Sequence, residues 1–108
     1  MPFDDAVFNV GRTALLVAAF AAGDAAALAA ATQDRLHQDR RLAAAGMSRT
    51  ALEAGIAAGA WCGWLSGSGP AVAFLTEGGE GKSLAAALPA SGHARITAID
   101  RSGTRLVE

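Results

Sequence analysis

Residues 65–75 read Leu-Ser-Gly-Ser-Gly-Pro-Ala-Val-Ala-Phe-Leu, a loop of serine, glycine and proline between two short apolar runs. The apolar runs predict two strands, over 61–65 and 71–75, joined by the loop 66–70. Glycines at alternate positions let the backbone approach a ligand closely, and successive N–H groups in such a turn form an anion-binding concavity. The pattern is neither a Walker motif nor a dinucleotide fingerprint. On these residues alone, a ligand-binding loop and a simple tight turn both stay open.

The remaining elements are predicted outward from this hairpin by hydrophobic periodicity and by helix start and stop signals. Helices are predicted over 4–22, 25–38, 48–58 and 83–88, with Ser48 as a helix cap and further strands over 95–99 and 104–107. This order predicts an α+β domain, with the helices packed on one face of a small antiparallel sheet.

The first predicted helix carries apolar residues at helical spacing, which we expect to face the core: Val7, Val10, Ala14, Val17, Ala18 and Ala21. Its apolar run 13–22 lacks the basic segment that precedes a signal-peptide core. The run is also shorter than the roughly 20 residues that cross a bilayer. We therefore predict a buried helix of a soluble protein.

Composition excludes several classes of function. The 108 residues make one small domain, 52% hydrophobic with a net charge of −1, and contain no basic stripe that would indicate nucleic acid or an anionic membrane as a partner. A single cysteine, Cys62, rules out an internal disulfide, fits a reducing cytoplasm and is expected to be a small buried hydrophobe. No residues have the spacing of a metal site, and none is assigned a catalytic role.

Two polar stripes interrupt the helices. Asp5, Asn9 and Arg12 are spaced to lie on one side of the first helix, either facing solvent or lining a cleft shared with a second domain. The second stripe is formed by Asp34, Gln38 and Arg41, which a charged helix end explains on these residues alone, and His37 beside it is expected to be structural.

Three segments, taken in order, resemble the GHMP family of small-molecule kinases and, within it, the homoserine kinases. They are Asp-Ala-Val-Phe-Asn-Val-Gly-Arg at 5–12, Asp-Arg-Leu-His-Gln-Asp-Arg-Arg at 34–41, and Ser-Gly-Ser-Gly-Pro at 66–70. The resemblance covers nearly the whole chain, but only about the last third of a typical family member.

The resemblance implies a phosphotransferase that uses ATP and Mg²⁺ to phosphorylate L-homoserine in threonine biosynthesis. It places Ser66, Gly67, Ser68 and Gly69 near a phosphate, and assigns substrate binding to Arg41 and Asn9. At 39–40 this chain has Asp-Arg where the family usually has Pro-Tyr, so Arg40 is an alternative to Arg41. The open alternatives are another GHMP kinase and a free-standing module without activity.

No segment resembles the family's nucleotide-binding loop, which lies in an N-terminal domain. We therefore expect residues 1–108 to form the C-terminal domain alone, inactive by itself. The face that would meet the N-terminal domain should expose apolar surface, and through it the isolated chain could form a homodimer.

Overall fold

The computed structural model describes residues 1–107 and confirms the α+β class. The elements are helix α1 (Phe3–Ala22), a 3₁₀ turn (Ala25–Ala27), helices α2 (Leu28–Ala31), α3 (Gln38–Ala44) and α4 (Gly46–Ala57), strands β1 (Cys62–Leu65) and β2 (Val72–Leu75), and helix α5 (Gly81–Ala87). The two strands are antiparallel, with Cys62 opposite Leu75 and Leu65 opposite Val72. The predicted hairpin is therefore confirmed.

The helices cover both faces of this hairpin rather than the single face expected. Because side chains alternate along a strand, Cys62 and Gly63 point to opposite faces. Cys62 is 1% exposed and packs in a cluster with Ala19 of α1 and Leu28 of α2. On the other face, a Cβ added at Gly63 would lie 2.6 Å from the Phe74 ring, so only glycine leaves room for that ring.

Helix α1 forms where predicted, but the prediction of its core face was wrong. Val7, Val10 and Val17 are 53%, 71% and 66% exposed, and Ala19 is the buried residue of the helix. The helix is apolar on most sides, so periodicity did not identify which side packs against the 3₁₀ turn and α2. By length and composition α1 could also cross a membrane, a criterion that core helices of soluble proteins and N-terminal signal sequences meet too. Only 6% of its apolar window is buried, so the prediction of a buried helix was wrong.

The single helix predicted over 25–38 is wrong, because the chain forms the 3₁₀ turn, the one-turn helix α2 and a loop before α3 begins at Gln38. The Asp34 carboxylate accepts hydrogen bonds from three backbone N–H groups, those of residues 36, 37 and 38. Aspartate competes with helix continuation in this way, because its side chain offers the backbone N–H groups an alternative acceptor.

Ser48 does not cap a helix as predicted. Helix α4 begins two residues earlier, at Gly46, and Ser48 is buried within it. Its hydroxyl donates a hydrogen bond of 2.6 Å to the carbonyl oxygen of Pro70, at the end of the glycine-rich loop. Ser48 therefore fixes that loop against α4.

The strands predicted over 95–99 and 104–107 do not form within residues 1–107. Ile96 and Ile99, which carry the alternating pattern, are 57% and 77% exposed. Ile96 lies against Gly81 at the start of α5 but stays mostly exposed. A two-stranded hairpin without a larger surface to pack against is only marginally stable in water.

Candidate functional site

The carboxylate of Asp34 organises the loop before α3. One oxygen, Oδ1, accepts hydrogen bonds from the side-chain amide of Asn9 at 2.5 Å and from the Leu36 N–H at 2.7 Å. The other, Oδ2, accepts from the N–H groups of His37 at 3.0 Å and Gln38 at 2.6 Å. We call residues 34–38 the Asp34 loop.

The charge of Asp34 is stabilised by these donors. Burial by itself raises the pKa of a carboxyl group, but here the hydrogen bonds from Asn9 and from the backbone of Leu36, Gln38 and His37 outweigh it. The pKa of Asp34 is therefore held well below its usual range. The carboxylate is ionised at neutral pH and acts as a fixed acceptor.

Asn9 faces this loop from α1 and does not face solvent. While its Nδ2 donates to Asp34, its Oδ1 accepts a hydrogen bond of 2.9 Å from the backbone N–H of Arg35. Asn9 is half-buried, and a cleft shared with a second domain stays a prediction for this residue. Its predicted contact with a substrate stays a prediction, since the bonds in the structure are all to the Asp34 loop.

The Asp34 loop is bonded directly to the glycine-rich loop. The His37 ring bridges the two, with Nδ1 2.9 Å from Asp34 Oδ2 and Nε2 3.1 Å from the carbonyl oxygen of Gly67. Gln38 Oε1 accepts a hydrogen bond of 2.7 Å from the Leu65 N–H, just before the loop. The segments 34–41 and 66–70, which are distant in sequence, thus form one structural unit.

The glycine-rich loop turns through two left-handed residues, Gly67 with φ 61° and Gly69 with φ 82°. The Ser66 N–H donates to the Ala71 carbonyl at 2.8 Å, and the Gly69 N–H donates to the Ser66 carbonyl at 3.2 Å. Within residues 1–107, the N–H groups of Gly67 and Ser68 have no acceptor. The loop therefore presents free backbone donors of the kind that bind anions.

A cleft of about 280 Å³ lies between α1 and this unit. Its polar lining comes from Asn9, Arg12, Asp34, His37 and Gln38, and its apolar wall includes Trp64, Leu65 and Leu75. An adjoining cleft of about 370 Å³ is lined by Phe8, Arg35 and Asp39, among others.

Two guanidinium groups stand where these clefts meet. Arg12 and Arg35 lie over the Phe8 ring, with their Cζ atoms 4.4 and 3.9 Å from its centroid. Such contacts stabilise a cation without neutralising it. The two clefts therefore hold two cations, Arg12 and Arg35, beside two carboxylates, Asp34 and Asp39.

Arg41, the predicted carboxylate binder, lies exposed in the last turn of α3, and Arg40 beside it is also exposed. Neither arginine lines either cleft. The assignment of substrate binding to Arg41, and the alternative assignment to Arg40, therefore stay predictions.

Sequence reasoning missed Asp34 and Gln38 as the residues that build the site. One signal was available: an aspartate shortly before a helix start is a common acceptor for the unpaired N–H groups of the first turn. Cys62, by contrast, is buried as expected, and burial raises the pKa of its thiol.

Comparison with known proteins identifies the family. Residues 16–94 match the family model for the C-terminal domain of GHMP kinases. The homoserine kinase of Gloeobacter violaceus is 49% identical over 77 residues, 71% of this chain and 26% of that protein. A homoserine kinase of Thermus thermophilus is 38% identical over 90 residues, 83% of this chain and 31% of that protein.

A relative with a different name is also similar. The 4-diphosphocytidyl-2-C-methyl-D-erythritol kinase of Streptomyces avermitilis is 46% identical over 85 residues, 78% of this chain and 28% of that protein. No solved structure matches the chain. The chain spans about a quarter to a third of the length of these curated relatives. It belongs to the GHMP kinase family and corresponds to that family's C-terminal domain.

Proposed function

We propose that this chain is the substrate-side, C-terminal domain of a cytoplasmic homoserine kinase. The reaction joins the hydroxyl oxygen of L-homoserine to the γ-phosphorus of ATP, breaks the bond from that phosphorus to the β–γ bridging oxygen, and releases ADP and the hydroxyl proton. The observation that carries the proposal is the hydrogen bond between His37 and Gly67. This bond joins segment 34–41, whose resemblance is specific to homoserine kinases, to loop 66–70, whose resemblance is to GHMP kinases in general.

The residues present fit one wall of a phosphate site and not a complete nucleotide site. The free Ser68 N–H and the two left-handed glycines suit an anionic oxygen. Within residues 1–107 no group of three His, Cys, Asp or Glu side chains could hold a metal ion. When bound, ATP supplies the phosphoryl group and Mg²⁺ neutralises its charge. We propose that both are held mainly by an N-terminal kinase domain, so that this chain alone is inactive.

The outer face of α1 is the proposed contact with that N-terminal domain. Phe3, Val7, Val10, Ala14, Val17 and Ala21 follow one another at alternating steps of four and three residues, and all are exposed. This spacing forms a continuous seam on a helix. Curated relatives contain two to three times as much chain outside the matched region as within it, which is chain available to cover the seam. When no N-terminal domain covers the seam, we expect two copies of this chain to pair through α1.

A chimera tests the proposed function. This chain replaces the matching C-terminal segment of the Gloeobacter violaceus homoserine kinase, and ADP release is measured with ATP, Mg²⁺ and L-homoserine. We expect homoserine-dependent turnover from the chimera and none from this chain alone. We expect Arg41→Ala to raise KM for homoserine by roughly 10- to 100-fold, the effect of losing a charged hydrogen-bonded pair. Arg40→Ala is the matched control.

The outcomes separate the alternatives. Turnover with 4-diphosphocytidyl-2-C-methyl-D-erythritol or mevalonate and not with homoserine would assign the domain to another GHMP kinase. A folded chimera without turnover on any of the three substrates would make this a non-catalytic module. A larger effect of Arg40→Ala than of Arg41→Ala would transfer the carboxylate-binding role to Arg40.

A further inference from the structure

The two acceptors around His37 determine which form of its ring fits the structure. Nδ1 lies 2.9 Å from a carboxylate oxygen of Asp34, and Nε2 lies 3.1 Å from the carbonyl oxygen of Gly67. Neither partner carries a proton to donate, because Asp34 is ionised and a carbonyl only accepts. A neutral imidazole has one N–H and satisfies one of the two acceptors. The imidazolium has two N–H groups and satisfies both.

The hydrogen bond from His37 Nε2 to the Gly67 carbonyl also determines the direction of the next N–H group, that of Ser68. The peptide bond between Gly67 and Ser68 is trans. In a planar trans peptide the C=O and N–H groups point in opposite directions. Holding the Gly67 carbonyl toward His37 therefore directs the Ser68 N–H away from the Asp34 loop, and this N–H, like that of Gly67, has no acceptor within residues 1–107.

We propose that protonated His37 is a positioning residue for the glycine-rich loop: by fixing the Gly67 peptide plane, it aims the Ser68 N–H at an anionic oxygen of a phosphoryl group. The orientation of the loop by His37 does not depend on kinase activity. That the bound anion is a phosphoryl group does rest on the proposed function. A neutral ring has one N–H, and the charged Asp34 carboxylate is the stronger acceptor for it, so the hydrogen bond to Gly67 requires the protonated ring.

The surrounding charges are compatible with this arrangement. Asp34 is the carboxylate that pairs with the ring in the described chain. Arg12 of α1 lines the same cleft, and Asp39, Arg40 and Arg41 follow in α3. A guanidinium has no acceptor to offer, so these arginines cannot replace Gly67 as the partner of Nε2.

NMR titration of the isotope-labelled 108-residue chain tests the proposal without nucleotide or homoserine. We expect the signals of the His37 ring nitrogens, the Gly67 carbonyl carbon and the Ser68 amide to change together as the pH is varied, with one shared midpoint. In His37→Gln, which lacks a titrating ring, the pH dependence of the Ser68 amide should be lost. His93→Gln is the control, because His93 is exposed and lies outside the site; it should leave the loop titration unchanged.

Two results would overturn the proposal: loop signals that titrate with a midpoint different from that of the His37 ring, or loop signals independent of pH in the unmodified chain. The unmodified chain gives this answer even where a variant fails to fold. Because the measurement does not use kinase activity, it tests the positioning role of His37 separately from the proposed function.

Discussion

The two sides of α1 reverse the usual distribution of polarity. On the inner side, Asn9 and Arg12 are half-buried, whereas on the outer side Val10 and Val17 are 71% and 66% exposed. Asn9 is bonded to the Asp34 loop, while the buried Nε of Arg12 has no hydrogen-bond partner within residues 1–107. A polar side chain is stable inside when fixed partners satisfy it, as Asp34 satisfies Asn9. The apolar row left outside is the surface that we propose to contact an N-terminal domain. The comparison teaches that polarity alone does not decide which side of α1 is buried, because Asn9 is held inside by its partners in the Asp34 loop.

The largest difference in unfolding free energy should separate a charge placed on the inner side of α1 from one placed on the outer side. Ala19 is 4% exposed and its neighbour Ala18 is exposed. We expect Ala19→Asp to lower the free energy of unfolding by about 3 kcal/mol or more, because the charge is buried without a partner. Ala18→Asp should change it by no more than about 0.5 kcal/mol. Urea unfolding followed by circular dichroism measures both, and equal losses would contradict the assigned sides.

Removing the acceptor on the inner side should have the next largest effect. Asp34→Ala leaves the Asn9 amide and three backbone N–H groups without their acceptor, and we expect a loss of about 2–3 kcal/mol in unfolding free energy. Asp39→Ala, an exposed acid five residues later, is the matched control and should cost little. A small effect at both positions would mean that the Asp34 loop is not an organising element.

The same carboxylate should make stability depend on pH. The pKa of Asp34 is lowered in the folded chain, so the stabilisation it provides is complete above its unfolded pKa of about 3.9. That stabilisation is lost as pH falls through the lower, folded pKa. We expect Asp34→Asn to flatten the fall in unfolding free energy below about pH 4 relative to the unmodified chain. Unfolding curves between about pH 2 and 6 measure this, and parallel profiles would contradict it.

The smallest effect on stability should come from the outer side. Val10→Asp places a charge at an exposed position, and we expect the unfolding free energy to change by no more than about 0.5 kcal/mol. The same variant should abolish the pairing of isolated chains expected through α1. Sedimentation velocity at increasing concentration measures the pairing, with Thr13→Asp, which is exposed but outside the seam, as control. An unmodified chain that stays monomeric would remove the self-pairing prediction.

The sequence was sufficient for elements that local signals define. Helix α1, helix α4 and the hairpin around 66–70 form as predicted, because apolar periodicity and glycine or proline boundaries specify them. The break before α3 was missed, since it depends on one carboxylate competing with the helix for backbone N–H groups. The strands over 95–99 and 104–107 were predicted from an alternating pattern, but alternation cannot show whether a covering surface exists.

The candidate site was predicted only in part. The loop 66–70 was identified from its glycines, and Asn9 from its helical spacing, but neither signal shows that the two are linked. The link runs through Asp34 and His37, which are brought against Gly67 by the tertiary fold. The role of Arg41 stays a prediction from resemblance, because it lines neither cleft.

The most direct test of the two-sided account of α1 is an amide NMR spectrum of this chain, labelled with ¹⁵N, mixed with the unlabelled N-terminal part of the Gloeobacter violaceus homoserine kinase. We predict that the signals of Val7, Val10 and Val17 change on mixing, while the Asp34 loop keeps the signals of its internal hydrogen bonds. Signals of α1 that stay unchanged with a folded N-terminal part, or changes confined to residues 91–107, would contradict the account.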